Sequence, residues 1–201
     1  SMGQAKKLLV IGSEVLSTLV NWQDRTSCIL FGDGAGATVV ERTHANGESR
    51  IYSSHLSADG RLWDLLITPG GGSAMPLDAE QAAAGLGKIH MKGTEVFKVA
   101  VKTLSDFGVK ALEANGLRKD DVHWFLPHQA NLRIIEAVAR RLDFPMERVL
   151  VNVDRFGNTS SATVPTMLDE AVRDGRIKKG DWVLMDVFGA GLTNGSLMLR
   201  W

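Results

Sequence analysis

Three short segments carry groups able to polarise a carbonyl. Pro127-His128-Gln129-Ala130-Asn131 follows the apolar run VHWFL at 122–126. Gly157-Asn158-Thr159-Ser160-Ser161-Ala162 comes soon after VLVNV at 149–153. Phe188-Gly189-Ala190-Gly191 ends the run WVLMDVF at 182–188. Histidine and asparagine side chains both donate hydrogen bonds to a carbonyl oxygen, and a small-residue turn can aim backbone N–H groups at developing negative charge. Combined, they suit a thioester enolate: a neutral His–Asn pair holds the oxyanion while an adjacent carboxylate leaves as CO2. Taken singly, each has a plainer reading. The histidine caps a helix or fills the core, Asn and Ser serve as helix N-caps, and the Gly-rich segment is a tight turn. Asn158-Thr159-Ser160 also fits a glycosylation sequon. Gly32-Asp33-Gly34-Ala35-Gly36 lacks the spacing of a dinucleotide fingerprint.

These segments need a scaffold that brings strand ends together. KLLVIG at 7–12 reads as a buried strand, and SCILFGDGAGATVV at 27–40 as strand, Gly-rich turn and strand. Residues 44–91 are short, polar and Gly-rich, and read as an irregular connection that is functional or partly mobile. Residues 94–114 have helical spacing, with Asn115-Gly116 as the stop. A strand is expected at 122–126 and a helix at 130–142, with Leu132, Ile135, Val138, Ala139 and Leu142 facing inward. Further strands are expected at 149–153, 182–188 and 196–201, with a helix at 159–174. This alternation predicts a layered α/β architecture. FGDGAGATVV at 31–40 echoes FGAGLTNGSLML at 188–199, as a duplicated unit would. In open α/β sheets ligands bind at strand ends, where His128, Asn158 and the 188–191 turn all lie.

Composition narrows the function classes. The chain has 201 residues, 44% hydrophobic and 23% charged, with 23 basic and 23 acidic side chains. A net charge of zero argues against coating nucleic acid or a membrane surface. The single cysteine, Cys28, permits no intrachain disulfide and no CxxC metal site, and points to a cytoplasmic chain. No apolar run reaches the roughly 18 residues of a spanning helix, and the start does not read as a signal peptide.

Six segments in order carry a family resemblance: DRTSCILFGDGAGA at 24–37, GTEVFKVAV at 93–101, PHQANLRII at 127–135, DRFGNTSSATVP at 154–165, LDEAVRDGRIKKGD at 168–181 and FGAGLTNGS at 188–196. The chain resembles β-ketoacyl-acyl-carrier-protein synthase III, a thiolase-fold family of condensing enzymes in fatty-acid biosynthesis. The resemblance implies the C-terminal half of that fold over 92–201, the end of the N-terminal half over 1–43 and a connection over 44–91. It implies decarboxylative Claisen condensation of acyl-CoA with malonyl-acyl-carrier protein, in a homodimer that needs no metal or cofactor beyond the CoA and phosphopantetheine thioesters. His128 and Asn158 match the catalytic pair, and Ala190 matches the oxyanion-hole backbone N–H.

Gly93, Thr94, Phe97, Ala100 and Phe188 match the pantetheine tunnel, and Arg25 an adenine contact, with Trp22 a further candidate. Arg133 matches a CoA and carrier contact. With Lys98, Arg140 and Arg141 it forms an expected basic patch for an acidic carrier, or a solvated helix face. The family's nucleophilic cysteine lies upstream of the segment beginning at Lys6. The chain is therefore expected to be a C-terminal portion unable to condense by itself and prone to self-association, with Cys28 a core residue. The alternatives are a non-condensing carrier or CoA-binding module, or a related condensing enzyme with another acyl substrate.

Overall fold

The computed structural model describes residues 5–42 and 49–201. Strand β1 (Lys7–Val15) pairs antiparallel with β2 (Asp33–Glu41), from Lys7 opposite Glu41 to Val15 opposite Asp33. Two expectations change here. The run at 27–31 is a series of turns, not a strand, because the Asp24 carboxylate captures Thr26 N, Thr26 Oγ1 and Ser27 Oγ at 3.0, 2.6 and 2.6 Å. Such a local Asp turn competes with a ladder. Cys28 consequently sits half-buried in a turn rather than in a core strand.

Gly34 and Gly36 of GDGAG belong to β2 itself, and Gly32 precedes it. They let a helix start rest on the ribbon: an added Cβ would lie 2.9 Å from Pro165 Cβ at Gly36 and 2.3 Å from Ser161 O at Gly12. Elsewhere β1 is open. Leu8, Leu9, Val10 and Ile11 are exposed, not buried, because the described chain covers the ribbon chiefly around its glycines.

The rest forms a mixed sheet with helices on both faces. In chain order come β3 (Arg50–Ala58), β4 (Leu66–Ile67), α1 (Ala79–Ala83), β5 (His90–Met91), α2 (Gly93–Ala114), β6 (Trp124–Pro127), α3 (Leu132–Arg141), α4 (Val153–Phe156), α5 (Thr163–Arg173), β7 (Trp182–Gly189) and β8 (Thr193–Arg200). The main sheet runs β3-β8-β7-β6, parallel only between β6 and β7. The stretch read as irregular, 44–91, thus contributes a nine-residue edge strand.

Strand alternation builds the layers. Phe125, Leu184 and Met198 face α2 and α3. Leu126, Val183 and Met185 face Met167, Leu168 and Ala171 of α5. Each such buried side chain contributes about 2 kcal/mol. In α3, Ile134 joins Ile135, Val138 and Ala139 in the core, while Leu132, the first helical residue, stands in solvent instead of facing inward. Gly116, at φ +63, ends α2 as its sequence signal predicts.

The expected strand at 149–153 is absent beyond one bridge from Val149 to Phe125. The buried Gln129 side chain interrupts the ladder. Its Nε2 donates to Pro127 O at 2.8 Å and to Leu150 O at 3.0 Å. Its Oε1 accepts from Asn152 N at 2.9 Å and Val153 N at 3.2 Å. One side-chain amide thereby fastens the β6 end to the segment leading to Asn158.

Candidate active site

His128 follows β6, and its N–H donates to Asp186 O on β7 at 2.7 Å. The ring stands at the end of the only parallel pair in the main sheet. Its Nδ1 is 2.6 Å from Thr163 Oγ1, at the start of α5. Desolvation lowers the imidazole pKa to about 4, so His128 is neutral at physiological pH.

Asn158 is held from the opposite side. Its N–H donates to Leu30 O at 2.7 Å, and Gly32 N–H donates to Asn158 O at 3.0 Å. The left-handed Gly157, φ +68, makes the preceding bend, where a Cβ would lie 3.1 Å from Leu30 O. The Asn158 Oδ1 accepts from Ser160 N at 2.9 Å, which fixes the amide and leaves Nδ2 as a donor. Thr163 Oγ1 also lies 2.9 Å from Ser160 O, so its one proton has two acceptors in reach. Thr163 and Ser160 thereby stand between the histidine and the asparagine. On the outer side, Ser161 Oγ donates to Glu14 Oε1 of β1 at 2.6 Å. That bond holds the Glu14 carboxyl below its usual pKa.

A cavity of about 1430 Å³ opens over these groups. His128, Asn158, Phe188, Ala190, Gly93, Thr94, Phe97, Lys98 and Arg133 all line it. The Arg133 guanidinium lies 5.9 Å from the Phe97 ring centre, within cation–π range. Other sequence candidates sit elsewhere. Ala100 is buried beneath α2 in the core. Arg25 is exposed on the 24–30 turn, next to Thr26, which lines the cavity, and Cys28 lies half-buried on the same turn. Arg140 lines a separate depression with Glu136 and Asp143, and Arg141 approaches Asp106 at 3.9 Å. The four basic residues therefore divide into a cavity pair, Lys98 and Arg133, and a remote pair.

Thr163, Ser160, Gln129, Glu14 and Gly32 are the positioning residues that sequence reading passed over. Thr163 and Ser160 look like ordinary helix-start residues. The Thr163–His128 contact spans 35 residues of chain, for which spacing gives no signal, and the Ser160–Asn158 bond is local but reads as an ordinary cap.

The chain is similar over nearly its whole length to known proteins. The profile "3-Oxoacyl-(acyl-carrier-protein (ACP)) synthase III C terminal" matches residues 112–201, and "3-Oxoacyl-(acyl-carrier-protein (ACP)) synthase III" matches 1–60. Beta-ketoacyl-(acyl-carrier-protein) synthase III of Alkalilimnicola ehrlichii is 51% identical over 99% of this chain and 60% of its own length. The Methylococcus capsulatus protein of the same name is 52% identical over 100% of this chain and 60% of its own.

Among solved structures, 3-oxoacyl-(acyl-carrier-protein) synthase III from Aquifex aeolicus VF5 superposes with a TM-score of 0.87 at 44% identity, covering 99% of this chain and 59% of that one. The Pseudomonas aeruginosa PAO1 structure gives 0.89 at 38% identity, with the same two coverages, 99% and 59%. The chain thus spans about 60% of the length of these curated relatives. With a thiolase-like α/β fold and matches over nearly its whole length, the chain belongs to the 3-oxoacyl-acyl-carrier-protein synthase III family.

Proposed function

We propose that this chain supplies the decarboxylation half of a condensing site, within a complete protein that joins acyl-CoA to malonyl-acyl-carrier protein. The supporting observation is the placement of His128, Thr163, Ser160 and Asn158 side by side on one cavity wall, with Thr163 Oγ1 2.6 Å from His128 Nδ1 and Ser160 N donating to Asn158 Oδ1 at 2.9 Å. His128 Nε2–H and Asn158 Nδ2–H donate to the malonyl thioester oxygen. The bond to the carboxylate breaks, CO2 leaves, and the electron pair enters the enolate, whose oxygen these two donors hold. The enolate carbon then attacks an acyl thioester. Its tetrahedral oxyanion takes the Ala190 N–H, and a cysteine thiolate leaves.

That cysteine is proposed to lie outside these 201 residues, so this chain alone forms no acyl-enzyme. The pantetheine arm passes Gly93, Thr94, Phe97 and Phe188. Lys98 and Arg133 at the cavity meet the acidic carrier, and Arg25 the CoA nucleotide. The complete protein is proposed to work in the cytoplasm as a homodimer.

Neutral His128 has one ring proton, and this role needs it on Nε2. Thr163 has one hydroxyl proton and two acceptors in range, His128 Nδ1 at 2.6 Å and Ser160 O at 2.9 Å. Donation to Nδ1 along the shorter contact selects the required tautomer. Thr163→Val is therefore expected to shift the His128 tautomer populations in ¹⁵N NMR and to lower malonyl decarboxylation about tenfold, a lost neutral hydrogen bond. Unchanged ring signals would remove Thr163 from this role.

The direct test is release of acetyl-CoA from malonyl-CoA by the chain. His128→Ala and Asn158→Ala are each expected to lower it about a hundredfold, as loss of one oxyanion donor does. Equal rates in folded variants would sink the reading. Incubation with acetyl-CoA should add no acyl mass, and a stable adduct on Cys28 would show that the nucleophile had been misplaced.

A further inference from the structure

Five buried side-chain atoms among the described residues lack a hydrogen-bond partner: His55 Nε2, Asn194 Nδ2, Ser196 Oγ and both carboxyl oxygens of Asp186. They are scattered in sequence and adjacent in space. In register, His55 on β3 stands opposite Ser196 on β8, and Ser196 opposite Asp186 on β7. Directly opposed residues of antiparallel strands share a face, with Cβ atoms about 5 Å apart. Asn194, two residues along β8, shares that face as well. Buried polar groups are ordinarily partnered, so a cluster of exceptions on one sheet face is a feature of the design.

The face is the one beneath α2. A Cβ at Gly108 would lie 3.1 Å from Asp186 Oδ2 and 2.8 Å from Leu142 Cδ1. A mid-helix glycine is an unfavourable choice. Here the space it leaves holds the Asp186 carboxyl. Ser105, one turn earlier, is already committed to Val101 O at 2.7 Å. The carboxyl is thus faced by Gly108 of α2, Leu142 after α3, Ser196 of β8 and, beyond Ser196, the imidazole of His55.

We propose that His55, Ser196 and Asn194 form one electrostatic network behind the cavity around a neutral Asp186 carboxyl, through which Asp186 acts as a positioning residue for His128 and the 189–191 turn. Two connections carry the positioning. Asp186 O accepts the His128 N–H at 2.7 Å. Asn194 stands opposite Phe188, and both line the cavity.

The five atoms are not hydrogen-bonded to one another, so a neutral Asp186 is the form that leaves no unpaired charge buried among them. Burial independently raises the Asp186 pKa well above the usual carboxylate value. In a low-dielectric interior a change at one member is felt by its neighbours. The catalytic consequence rests on the condensing-site reading, whereas the network itself does not.

The test uses the whole 201-residue chain without ligand. The infrared spectrum at neutral pH should contain a protonated-carboxyl stretch that disappears in Asp186→Asn. Ser196→Ala should shift that band and the His55 ring ¹⁵N signal together, while Ser105→Ala should move neither. Asp186→Val should shift the His128 ring signals. Should that variant fail to fold, the His128 ring shift in Ser196→Ala serves as the positioning readout. Absence of the acid band, or a Ser196→Ala spectrum with both signals unmoved, would overturn the network. Unmoved His128 signals in the folded variant would overturn the positioning role. Failure of the condensing-site reading would appear separately, as malonyl decarboxylation insensitive to His128→Ala with these spectra intact.

Discussion

Gly32→Ala is expected to destabilise the chain by more than about 3 kcal/mol, above the usual range for overpacking. It should also lower malonyl decarboxylation in whatever protein remains folded. An ideal Cβ on Gly32 would lie 2.1 Å from Phe156 O and 3.2 Å from Phe156 C. No rotamer change relieves this, because both partners are backbone. The neighbouring atoms are fixed by the bonds Gly32 N to Asn158 O at 3.0 Å and Asn158 N to Leu30 O at 2.7 Å. Separating the two segments therefore either breaks these bonds or drags Asn158 with them. A displacement of about 1 Å at a catalytic donor can cost about a hundredfold in rate. Gly60→Ala is the control, since nothing lies within 4 Å of its added Cβ. Denaturant unfolding of both variants checks the first claim and decarboxylation the second. A Gly32→Ala midpoint equal to that of Gly60→Ala would show that the close approach is not rigid.

The same contact shows how far the sequence could be read. The apolar run WVLMDVF at 182–188 located β7, and helical spacing located α2, α3 and α5 to within a few residues. The errors arose where a polar side chain replaces a backbone partner. Asp24 turns 27–31 away from a strand, and Gln129 cuts short the ladder at 149–153. Strand β3 escaped notice because RIYSSHLSA is mostly polar, its hydroxyls and imidazole lying against α2 or solvent rather than in an apolar core.

At the site, His128, Asn158 and the turn were legible as residue types at strand ends. Their support was not. Thr163 and Gly32 act through contacts between distant segments, and Gly32 reads in sequence as a turn glycine although its function is to let two backbones touch.

The pH dependence of stability carries the other large effect, because two buried groups oppose each other. The folded-state pKa of His128 is lowered to about 4 by desolvation, against the usual histidine value of 6.5. Between those values the unfolded chain binds a proton that the folded chain refuses, so stability falls as pH drops through that window. The full loss is about 3 kcal/mol.

Asp186 has the opposite sign. Its folded pKa lies well above 3.8, so above that value the folded chain holds a proton that the unfolded chain releases. Its contribution is greatest in acid and is lost as pH rises through the raised pKa. In the unaltered chain the two partly cancel, and stability between pH 6.5 and 4 should change by less than His128 alone would dictate. Asp186→Asn removes the opposing group and should uncover the acid loss, approaching 1.4 kcal/mol per pH unit, one proton's worth. His128→Gln should do the reverse and leave a protein that gains stability as pH falls toward 4. Urea unfolding of the three proteins across the window measures both slopes. Parallel pH profiles in all three would mean that neither group is desolvated as the geometry requires, and that His128 is not held neutral by its surroundings.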